Sequence, residues 1–331
     1  MGDYNFNKDM VQQKDLSEHS FLVTGGAGFI GSNIVEYLLN QNAKLVRVLD
    51  NFATGRRSNI ENFLGRDNFE LIEGDIRDLE TCKQAVVNID YVSHQAALGS
   101  VPRSINDPIA TNQVNVDGFM NMLIASRDER VKKVVYAASS STYGDSKSMP
   151  KVEAVIGRPL SPYAVTKFVN ELYAEVFADL YKIDIIGLRY FNVFGPKQDP
   201  HGAYAAVIPL FMKSAIDNVP PFINGDGEQT RDFTYVTNAV EANIKSLFSD
   251  VSGHEVINIA FGQKTSLNEL WNYIKELANS SVEPNHRENR AGDVRDSLAD
   301  ISKAQKLIGY DPTYSVKDGL DLAFKWYKEN E

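Results

Sequence analysis

The stretch Thr24-Gly25-Gly26-Ala27-Gly28-Phe29-Ile30-Gly31 follows a short apolar run at residues 21–24 and precedes a helical pattern that extends to about residue 40. Three of its glycines, Gly25, Gly28 and Gly31, recur at three-residue intervals. Between a strand and a helix, such glycines allow a tight turn, a close approach of the backbone to a pyrophosphate, and close packing of the helix on the strand. The N-terminus of the helix also attracts phosphates. The stretch therefore predicts a dinucleotide-binding unit.

An acidic residue stands where this kind of unit needs one. Asp50 ends the next predicted strand, nineteen residues after Gly31, and a carboxylate there accepts hydrogen bonds from the adenosine ribose hydroxyls. Asp50 would also repel the extra phosphate of NADP, although Arg56 and Arg57 follow closely and could compensate for that repulsion. We therefore predict NAD as the cofactor.

Further cofactor contacts are expected where the predicted strands end, because a bound dinucleotide crosses the carboxyl edge of a parallel sheet. Asp75 and Gln95, which follow the third and fourth strands, could instead only cap those strands. Asn115, on the helix after the fourth strand, could orient the nicotinamide side or hold a backbone group. The other predicted cofactor-binding residues are Phe29, Ile30, Asn51, Thr54, Gly55, Ile76, Ala96, Ala97 and Val193.

The chain after residue 20 alternates short apolar runs with helical stretches. The runs are FLVT, KLVRVLD, FELIEGD, DYVSHQAA and KKVVYAASS. This alternation predicts an α/β fold, a Rossmann-like doubly wound parallel sheet with a smaller α/β substrate-binding lobe. We assign residues 20–190 and 235–263 to the sheet domain and residues 191–234 and 264–331 to the lobe. We interpret residues 1–19 as a polar N-terminal extension.

Composition excludes several classes of function. The chain has 331 residues and a formal net charge of −10, so binding to nucleic acid or to an anionic membrane surface is not expected. The polar start of the chain contains no apolar run long enough for a signal peptide or a membrane span. The single cysteine, Cys82, has no partner for a disulfide or a metal site. We expect a cytoplasmic enzyme without a metal ion.

Two side chains on one predicted helix suggest acid-base chemistry. Tyr163 and Lys167 are four residues apart within residues 161–181, so they share a helix face and can meet over one ligand. A nearby ammonium favours tyrosinate, although moving a phenol pKa from ~10 to near neutral requires roughly 4 kcal/mol. Tyr163 could then act as a general base. Ser139, at the end of the fifth strand, could hydrogen-bond the reacting oxygen. The alternatives are a lysine stem packed beside a tyrosine and a serine that only caps its strand.

These motifs together resemble one known family. TGGAGFIG, Asp50, SSSTYG, YAVTK and RYFNVFGP are similar to the motifs of the extended short-chain dehydrogenase/reductase family along nearly the whole chain after residue 20. Within that family, HQAALGSVPRSINDP, RPLSPYAVTK, GAYAAVIP, INGDGEQTRDF and GDVRDSLADI resemble bacterial UDP-N-acetylglucosamine 4-epimerases of surface-polysaccharide pathways.

The resemblance implies a reaction that uses tightly held NAD without consuming it. Tyr163 would take the proton of the sugar 4-hydroxyl while C4 gives a hydride to NAD, which leaves a 4-keto sugar. The keto sugar would then rotate in the site and receive the hydride on its opposite face. Ser139 and Lys167 would support both half-reactions. Tyr163 and Lys167 would also contact the cofactor. Relatives often form homodimers through two helices per subunit, here those after residues 106 and 161.

The resemblance also implies where the substrate binds. Arg231 and Arg295 would hold the diphosphate, although both could form only surface ion pairs. Ser297 stands where relatives that accept only non-acetylated sugars have a bulky aromatic residue, so a 2-acetamido group would fit. The other implied substrate-binding residues, beside the sugar or along the nucleotide, are Gly99, Ser100, Ser139, Ser140, Asn192, Ala206, Val207 and Asn224.

Several other functions stay open. Sugar-nucleotide dehydratases carry an Asp-Glu pair where this chain has Ser140 and Ser141, and decarboxylases retain a glutamate at the second position, so both are disfavoured. UDP-glucose/UDP-galactose or UDP-(N-acetyl)galacturonate 4-epimerisation is the alternative, with Arg103 a candidate for a sugar carboxylate. A protein that only senses NAD would not need Tyr163 and Lys167.

Overall fold

The computed structural model describes residues 15–202, 205–288 and 295–330. Most of the predicted N-terminal extension, residues 1–14, therefore lies outside the described residues. So do parts of two motifs, at residues 203–204 and 292–294.

Strands and helices alternate through the first two thirds of the chain. The strands are β1 (Ser20–Thr24), β2 (Leu45–Asp50), β3 (Phe69–Glu73), β4 (Tyr91–His94), β5 (Lys133–Ser139), β6 (Asp184–Tyr190), β7 (Val193–Phe194), β8 (Phe222–Asn224), β9 (Thr230–Arg231), β10 (Thr234–Tyr235), β11 (His254–Ile259), β12 (Thr265–Ser266) and β13 (Asn285–Arg287). The helices are α1 (Phe29–Asn40), α2 (Leu79–Val86), α3 (Val101–Asn106), α4 (Pro108–Asn112), α5 (Gly118–Asp128), α6 (Pro162–Tyr181), α7 (Val207–Ile216), α8 (Val236–Leu247), α9 (Leu267–Ala278), α10 (Ser302–Ile308) and α11 (Val316–Asn330).

Seven strands form one parallel sheet in the order β11-β6-β5-β4-β1-β2-β3. All five residues of β1 are buried, as expected for a strand covered on both faces. Apolar residues of α1, α8 and α10 pack on one face of the sheet, and those of α2, α5 and α6 pack on the other. The predicted Rossmann-like doubly wound parallel sheet is confirmed. Within the described residues, no helix has the length and apolar character that crossing a membrane requires.

A third apolar cluster forms the core of the smaller lobe. Its side chains come from α7, α9 and α11 together with Phe194, Ile223 and Phe233. Three short strand pairs, β7 with β10, β9 with β12 and β8 with β13, lie outside the main sheet. Ala304, Ile308 and Tyr310 pack with the cluster on the main sheet, although the lobe assigned to residues 264–331 includes them. No local pattern in the sequence predicts that the chain returns to the main sheet at α10.

The strand order fixes the position of the site. It reverses at β1, which lies between β2 and β4, so the connection from β3 to β4 crosses the sheet. Ligands of open α/β sheets bind in the crevice outside the carboxyl ends of the strands at this reversal. The glycine-rich stretch follows β1, and Asp50 and Ser139 end β2 and β5 at the same edge.

Candidate active site

The glycine-rich turn leaves no room for side chains. Gly25 has φ +66°, a left-handed conformation that favours glycine, and its carbonyl accepts a hydrogen bond from Gly28 N at 3.0 Å. A Cβ on Gly31 would lie 2.1 Å from that same carbonyl oxygen. Gly28 caps α1 without a side-chain hydrogen bond. The first amides of α1 therefore face the crevice as an uncapped anion site, which fits a pyrophosphate.

Asp50 is held in place by backbone amides. Its carboxylate accepts hydrogen bonds from Ala27 N at 2.9 Å and from Phe52 N at 2.8 Å. Burial raises the pKa of this carboxyl, and the two amide hydrogen bonds oppose the rise. Arg56 and Arg57, which could have compensated for an NADP phosphate, form ion pairs with Asp199 and Glu73. The carboxylate at the ribose position is therefore not neutralised by either arginine.

A cavity of about 500 Å³ starts at the glycine turn and crosses the carboxyl edge of the sheet. This volume is typical of a small-molecule site. All the predicted cofactor-binding residues except Asn115 line it, and so do the catalytic candidates Ser139, Tyr163 and Lys167. The predicted residues at the lining are Gly25, Gly28, Phe29, Ile30, Gly31, Asp50, Asn51, Thr54, Gly55, Asp75, Ile76, Gln95, Ala96, Ala97, Gly99, Ser139, Ser140, Tyr163, Lys167, Asn192 and Val193.

Asn115 supports the cavity wall without being part of its lining. Its Oδ1 accepts a hydrogen bond from Leu98 N at 2.8 Å, and its Nδ2 donates to Leu98 O at 3.2 Å and to Thr166 Oγ1 at 3.1 Å. The amide thus joins the segment after β4 to helix α6. Of the two roles that the sequence allowed for Asn115, the hydrogen bonds favour holding a backbone group.

The three catalytic candidates meet at one end of the cavity. Lys167 Nζ donates a hydrogen bond to Ala137 O at 2.7 Å and lies 5.9 Å from the centre of the Tyr163 ring. Ser141 Oγ donates to Ser139 Oγ at 2.9 Å, so the Ser139 hydroxyl can donate its own hydrogen to Tyr163 or to a ligand that lies between them. This arrangement places a phenol, an ammonium and a hydroxyl donor around one space.

Burial disfavours the charged forms of both ionisable groups in this space. Burial lowers the pKa of Lys167 to about 8, although nearby Glu171 acts to raise it. Burial raises the pKa of Tyr163, and its hydrogen bond with Ser139 acts in the opposite direction. Lys167 therefore does not by itself produce a tyrosinate in the ligand-free protein. The positive nicotinamide of an oxidised dinucleotide would supply the remaining stabilisation.

A buried ion pair beneath the site fixes helix α6 to the sheet. Arg189 Nε and Nη2 donate to the two carboxylate oxygens of Glu171 at 2.8 and 2.7 Å, and both side chains are almost fully buried. Arg189 Nη1 also donates to Glu153 O at 3.0 Å. Glu171 follows Lys167 by one helical turn, so this pair sets the height of Lys167 over the sheet. The four-residue spacing along α6 was visible in the sequence, but the partner on β6 was not.

The other predicted substrate residues lie away from the cavity lining. Ser100 caps α3 with φ +116° and accepts a hydrogen bond from Arg103 N at 3.3 Å. Ala206 is the N-cap of α7, and Val207 is the first residue of that helix. Asn224 ends β8, and its Oδ1 accepts a hydrogen bond from Arg287 Nε at 2.6 Å.

Arg231, Arg295 and Ser297 are neighbours in the lobe. Arg231 Nη1 donates to Arg295 O at 3.1 Å, and Ser297 N donates to Thr230 O at 3.2 Å. Arg295 is exposed and forms an ion pair with Asp226 at 3.0 Å, the surface pairing that the sequence left open. The fold thus brings one group of the predicted site residues together at the cavity and another group together on the lobe.

Asp232 links these two groups and was not singled out in the sequence. Its buried carboxylate accepts hydrogen bonds from Phe261 N, Gly262 N and Ala299 N, each at 3.1 Å. Asn192 Nδ2, at the cavity, donates to Asp232 O at 2.9 Å. Burial raises the pKa of this carboxyl to about 6 in spite of the amide donors. The only sequence feature that could have identified Asp232 is its position directly after Arg231, in the motif QTRDF.

The sheet, the glycine turn and the three catalytic candidates define an enzyme of the extended short-chain dehydrogenase/reductase type. Residues 21–260 match the model of a protein family that is described as the "NAD dependent epimerase/dehydratase family". The chain belongs to this family, and its cofactor is NAD. Two residues fit that cofactor. A Cβ on Gly31 would fill the turn that is expected to hold the pyrophosphate, and the Asp50 carboxylate lines the cavity where the adenosine ribose is expected. In the described part of the chain, no cluster of three or more His, Cys, Asp or Glu residues could hold a metal ion.

Known proteins similar to this chain are described as 4-epimerases of different UDP-sugars. A putative UDP-glucose 4-epimerase of Methanocaldococcus jannaschii is 38% identical over 311 residues, which cover 93% of this chain and 98% of that protein. The structure of UDP-N-acetylglucosamine 4-epimerase from Methanobrevibacter ruminantium M1, in complex with UDP-N-acetylmuramic acid, matches with a TM-score of 0.90 and 39% identity, over 96% of this chain and 100% of that chain. A UDP-glucuronate 4-epimerase of Thermodesulfobacterium geofontis is 34% identical over 318 residues, 94% of this chain and 96% of that protein.

Proposed function

We propose that this chain catalyses the reversible C4 epimerisation of UDP-N-acetylglucosamine to UDP-N-acetylgalactosamine, through a 4-keto intermediate and with tightly bound NAD. The observation that carries the proposal is that Ser139, Tyr163 and Lys167 line the same cavity as the glycine turn. The similarity to UDP-sugar 4-epimerases supports the type of reaction and leaves the sugar to be argued from this chain's own residues.

The residues of the cavity supply acid-base chemistry at the sugar 4-hydroxyl. When bound, NAD accepts a hydride from C4 of the sugar and later returns it. Tyr163 takes the proton of the 4-hydroxyl in the first half of the reaction and gives it back in the second. Lys167, fixed by Ala137 O, stabilises the phenolate. Ser139 donates a hydrogen bond to O4, because its own oxygen already accepts from Ser141.

Epimerisation requires the keto sugar to present its opposite face, which needs space beside the reacting carbon. Gly99 lines the cavity and is exposed, so an added Cβ would have no other atom within 4 Å. Open space here favours both the turning of the sugar and a bulky substituent at C2. This is the feature of the cavity that supports an N-acetylated substrate.

Ser297 supports the same choice of sugar. It is half-buried in the lobe beside Thr230 and close in sequence to Arg295, a candidate for the diphosphate. A small side chain leaves volume that an aromatic residue would fill. UDP-glucose/UDP-galactose and UDP-(N-acetyl)galacturonate are the alternative substrates, with Arg103 the candidate for a carboxylate.

The experiment compares sugars and variants. Purified protein, without added cofactor, is incubated separately with UDP-N-acetylglucosamine, UDP-glucose and UDP-galacturonate, and the products are separated by chromatography. We expect the highest kcat/KM with UDP-N-acetylglucosamine. Ser297→Tyr should lower that value at least about tenfold, because a tyrosine ring would occupy the space that we propose for the acetamido group, and should leave the value for UDP-glucose nearly unchanged. Equal losses for both sugars, or a preference for UDP-glucose in the wild type, would reject the assigned substrate.

We also propose that the chain forms a homodimer through α6 together with α3 and α4. Both short helices contact α6, and apolar side chains are exposed along the joint surface. On α6 they recur at intervals of seven, four and four residues, opposite the face that packs on the sheet. Two such surfaces from two copies would form a four-helix bundle. The exposed side chains of this surface include Ile105, Ile109, Val165, Leu172, Val176 and Leu180.

Leu172→Glu should convert the dimer into a monomer, because two carboxylates would be buried at the twofold axis. Sedimentation velocity measures the mass directly. Val219→Glu is the control, since Val219 is also an exposed apolar residue but lies outside this surface. A wild-type monomer, or a Leu172→Glu variant that remains dimeric, would contradict the proposed interface.

A further inference from the structure

We propose that residues 195–199 form a clasp that retains the dinucleotide, with Gln198 as a cofactor contact and the Arg56–Asp199 ion pair as the closure. The proposal rests on NAD as the cofactor and not on the identity of the sugar. None of these three residues belongs to the glycine turn or to the catalytic group.

The ion pair joins two segments that each adjoin the cavity lining but are far apart in sequence. Residues 53–55 line the cavity on the side of the adenosine ribose, and Arg56 follows them directly. Val193 and Gln198 line it on the other side, and Asp199 follows Gln198 directly. The paired side chains of Arg56 and Asp199 are 41% and 37% exposed, so they lie at the surface and not in the core. We therefore place this pair at the mouth of the cavity, outside its lining.

Residues 195–199 are attached to the structural elements that hold the cofactor. Pro196 O accepts a hydrogen bond from Asn33 Nδ2 at 3.2 Å, and Lys197 forms an ion pair with Glu36 at 2.8 Å. Asn33 and Glu36 both belong to α1, the helix that begins at the glycine turn. These contacts fix the clasp over the helix whose N-terminus faces the pyrophosphate.

Gln198 holds an unused acceptor at the cavity. Its Nε2 donates to Val193 O at 3.3 Å, and Tyr327 Oη donates to its backbone carbonyl at 2.6 Å. Its Oε1 is buried and has no hydrogen-bond partner within the described residues. A buried amide oxygen without a donor is costly. The dinucleotide carries the missing donors, a carboxamide N–H or a ribose hydroxyl, so bound NAD would satisfy Gln198 as the clasp closes.

A clasp of this kind matches an enzyme that reuses one cofactor molecule. Because the hydride returns to the substrate in every cycle, nothing is gained by releasing NAD between turnovers. The closure is an exposed ion pair, so its contribution is modest and depends on salt. Its effect should therefore appear in the rate of NAD release and not in the folding of the domain.

The test measures NAD release from the holoenzyme in the absence of any sugar. Bound NAD is exchanged against an excess of fluorescent etheno-NAD, and the release rate is compared among variants of unchanged melting temperature. Arg56→Met and Asp199→Asn should each release NAD about two- to fivefold faster, and the double variant should be no faster than either single one. Gln198→Leu should also accelerate release. Raising the salt to 0.5 M should bring the wild type to the rate of Asp199→Asn and leave that variant unchanged.

Arg57→Met is the matched control. Arg57 follows Arg56 and also forms an exposed ion pair, but its partner Glu73 lies on β3, on the same side of the cavity. This variant should release NAD at the wild-type rate. Unchanged release in Arg56→Met and Asp199→Asn, or equal acceleration in Arg57→Met, would overturn the clasp. Since no sugar is present, the result is independent of whether the proposed epimerisation occurs.

Discussion

Replacing Tyr163 by phenylalanine should lower kcat about a thousandfold while NAD stays bound at its wild-type level. The phenol oxygen is the group that exchanges a proton with the sugar 4-hydroxyl, and general acid-base catalysis contributes about 10² to 10⁴ in rate. The phenyl ring keeps the packing against α6 and the cavity wall. Turnover is measured with UDP-N-acetylglucosamine, and NAD is measured in the denatured protein by its absorbance and mass.

Tyr173→Phe is the control for this prediction. Tyr173 lies on the same helix, ten residues further on, at the surface proposed for the dimer and away from the cavity lining, and phenylalanine would keep its ring. Removing its hydroxyl should change neither turnover nor bound NAD. A Tyr163→Phe variant with wild-type kcat would show that another group moves the proton.

A single added methyl group at the glycine turn should remove most of the bound NAD. In Gly31→Ala the Cβ would meet Gly25 O at 2.1 Å, so the helix must move away from the turn that cradles the pyrophosphate. Overpacking of this kind costs about 1–3 kcal/mol, which corresponds to a loss of affinity between about fivefold and about 150-fold. Equilibrium titration of the NAD-free protein measures this loss.

Gly202→Ala provides the comparison, because a Cβ there would make ordinary contacts, the nearest at 3.6 Å from Asp199 Oδ2. This variant should bind NAD as the wild type does. If Gly31→Ala bound NAD with unchanged affinity, the turn would not be the pyrophosphate cradle.

The parts of the site that depend on short stretches of sequence were predictable. Gly25, Gly28 and Gly31 are dictated by the local geometry of one turn, and Tyr163 and Lys167 by the pitch of one helix. Asp50 and Ser139 follow because each ends a strand of the same parallel sheet, whose carboxyl ends lie at one edge. Their positions at the cavity agree with these local rules.

The long-range polar contacts were not predictable in the same way. Glu171 and Arg189 meet only because α6 packs over β6, and neither sequence neighbourhood specifies the other. Asp232 finds its donors at residues 261–262 and 299, which the chain reaches through separate loops. Asn115 illustrates the limit for single residues, since a local pattern placed it near the cofactor but could not say which backbone group its amide holds.

The most direct test of the account uses UDP-N-acetylglucosamine that carries deuterium at C4, incubated in ordinary water with purified protein and no added cofactor. If Tyr163 moves only the hydroxyl proton and resident NAD carries the hydride, the UDP-N-acetylgalactosamine formed should retain the deuterium at C4, as read by mass spectrometry. Product that has exchanged its deuterium for solvent hydrogen, or no epimer at all, would contradict the central claim.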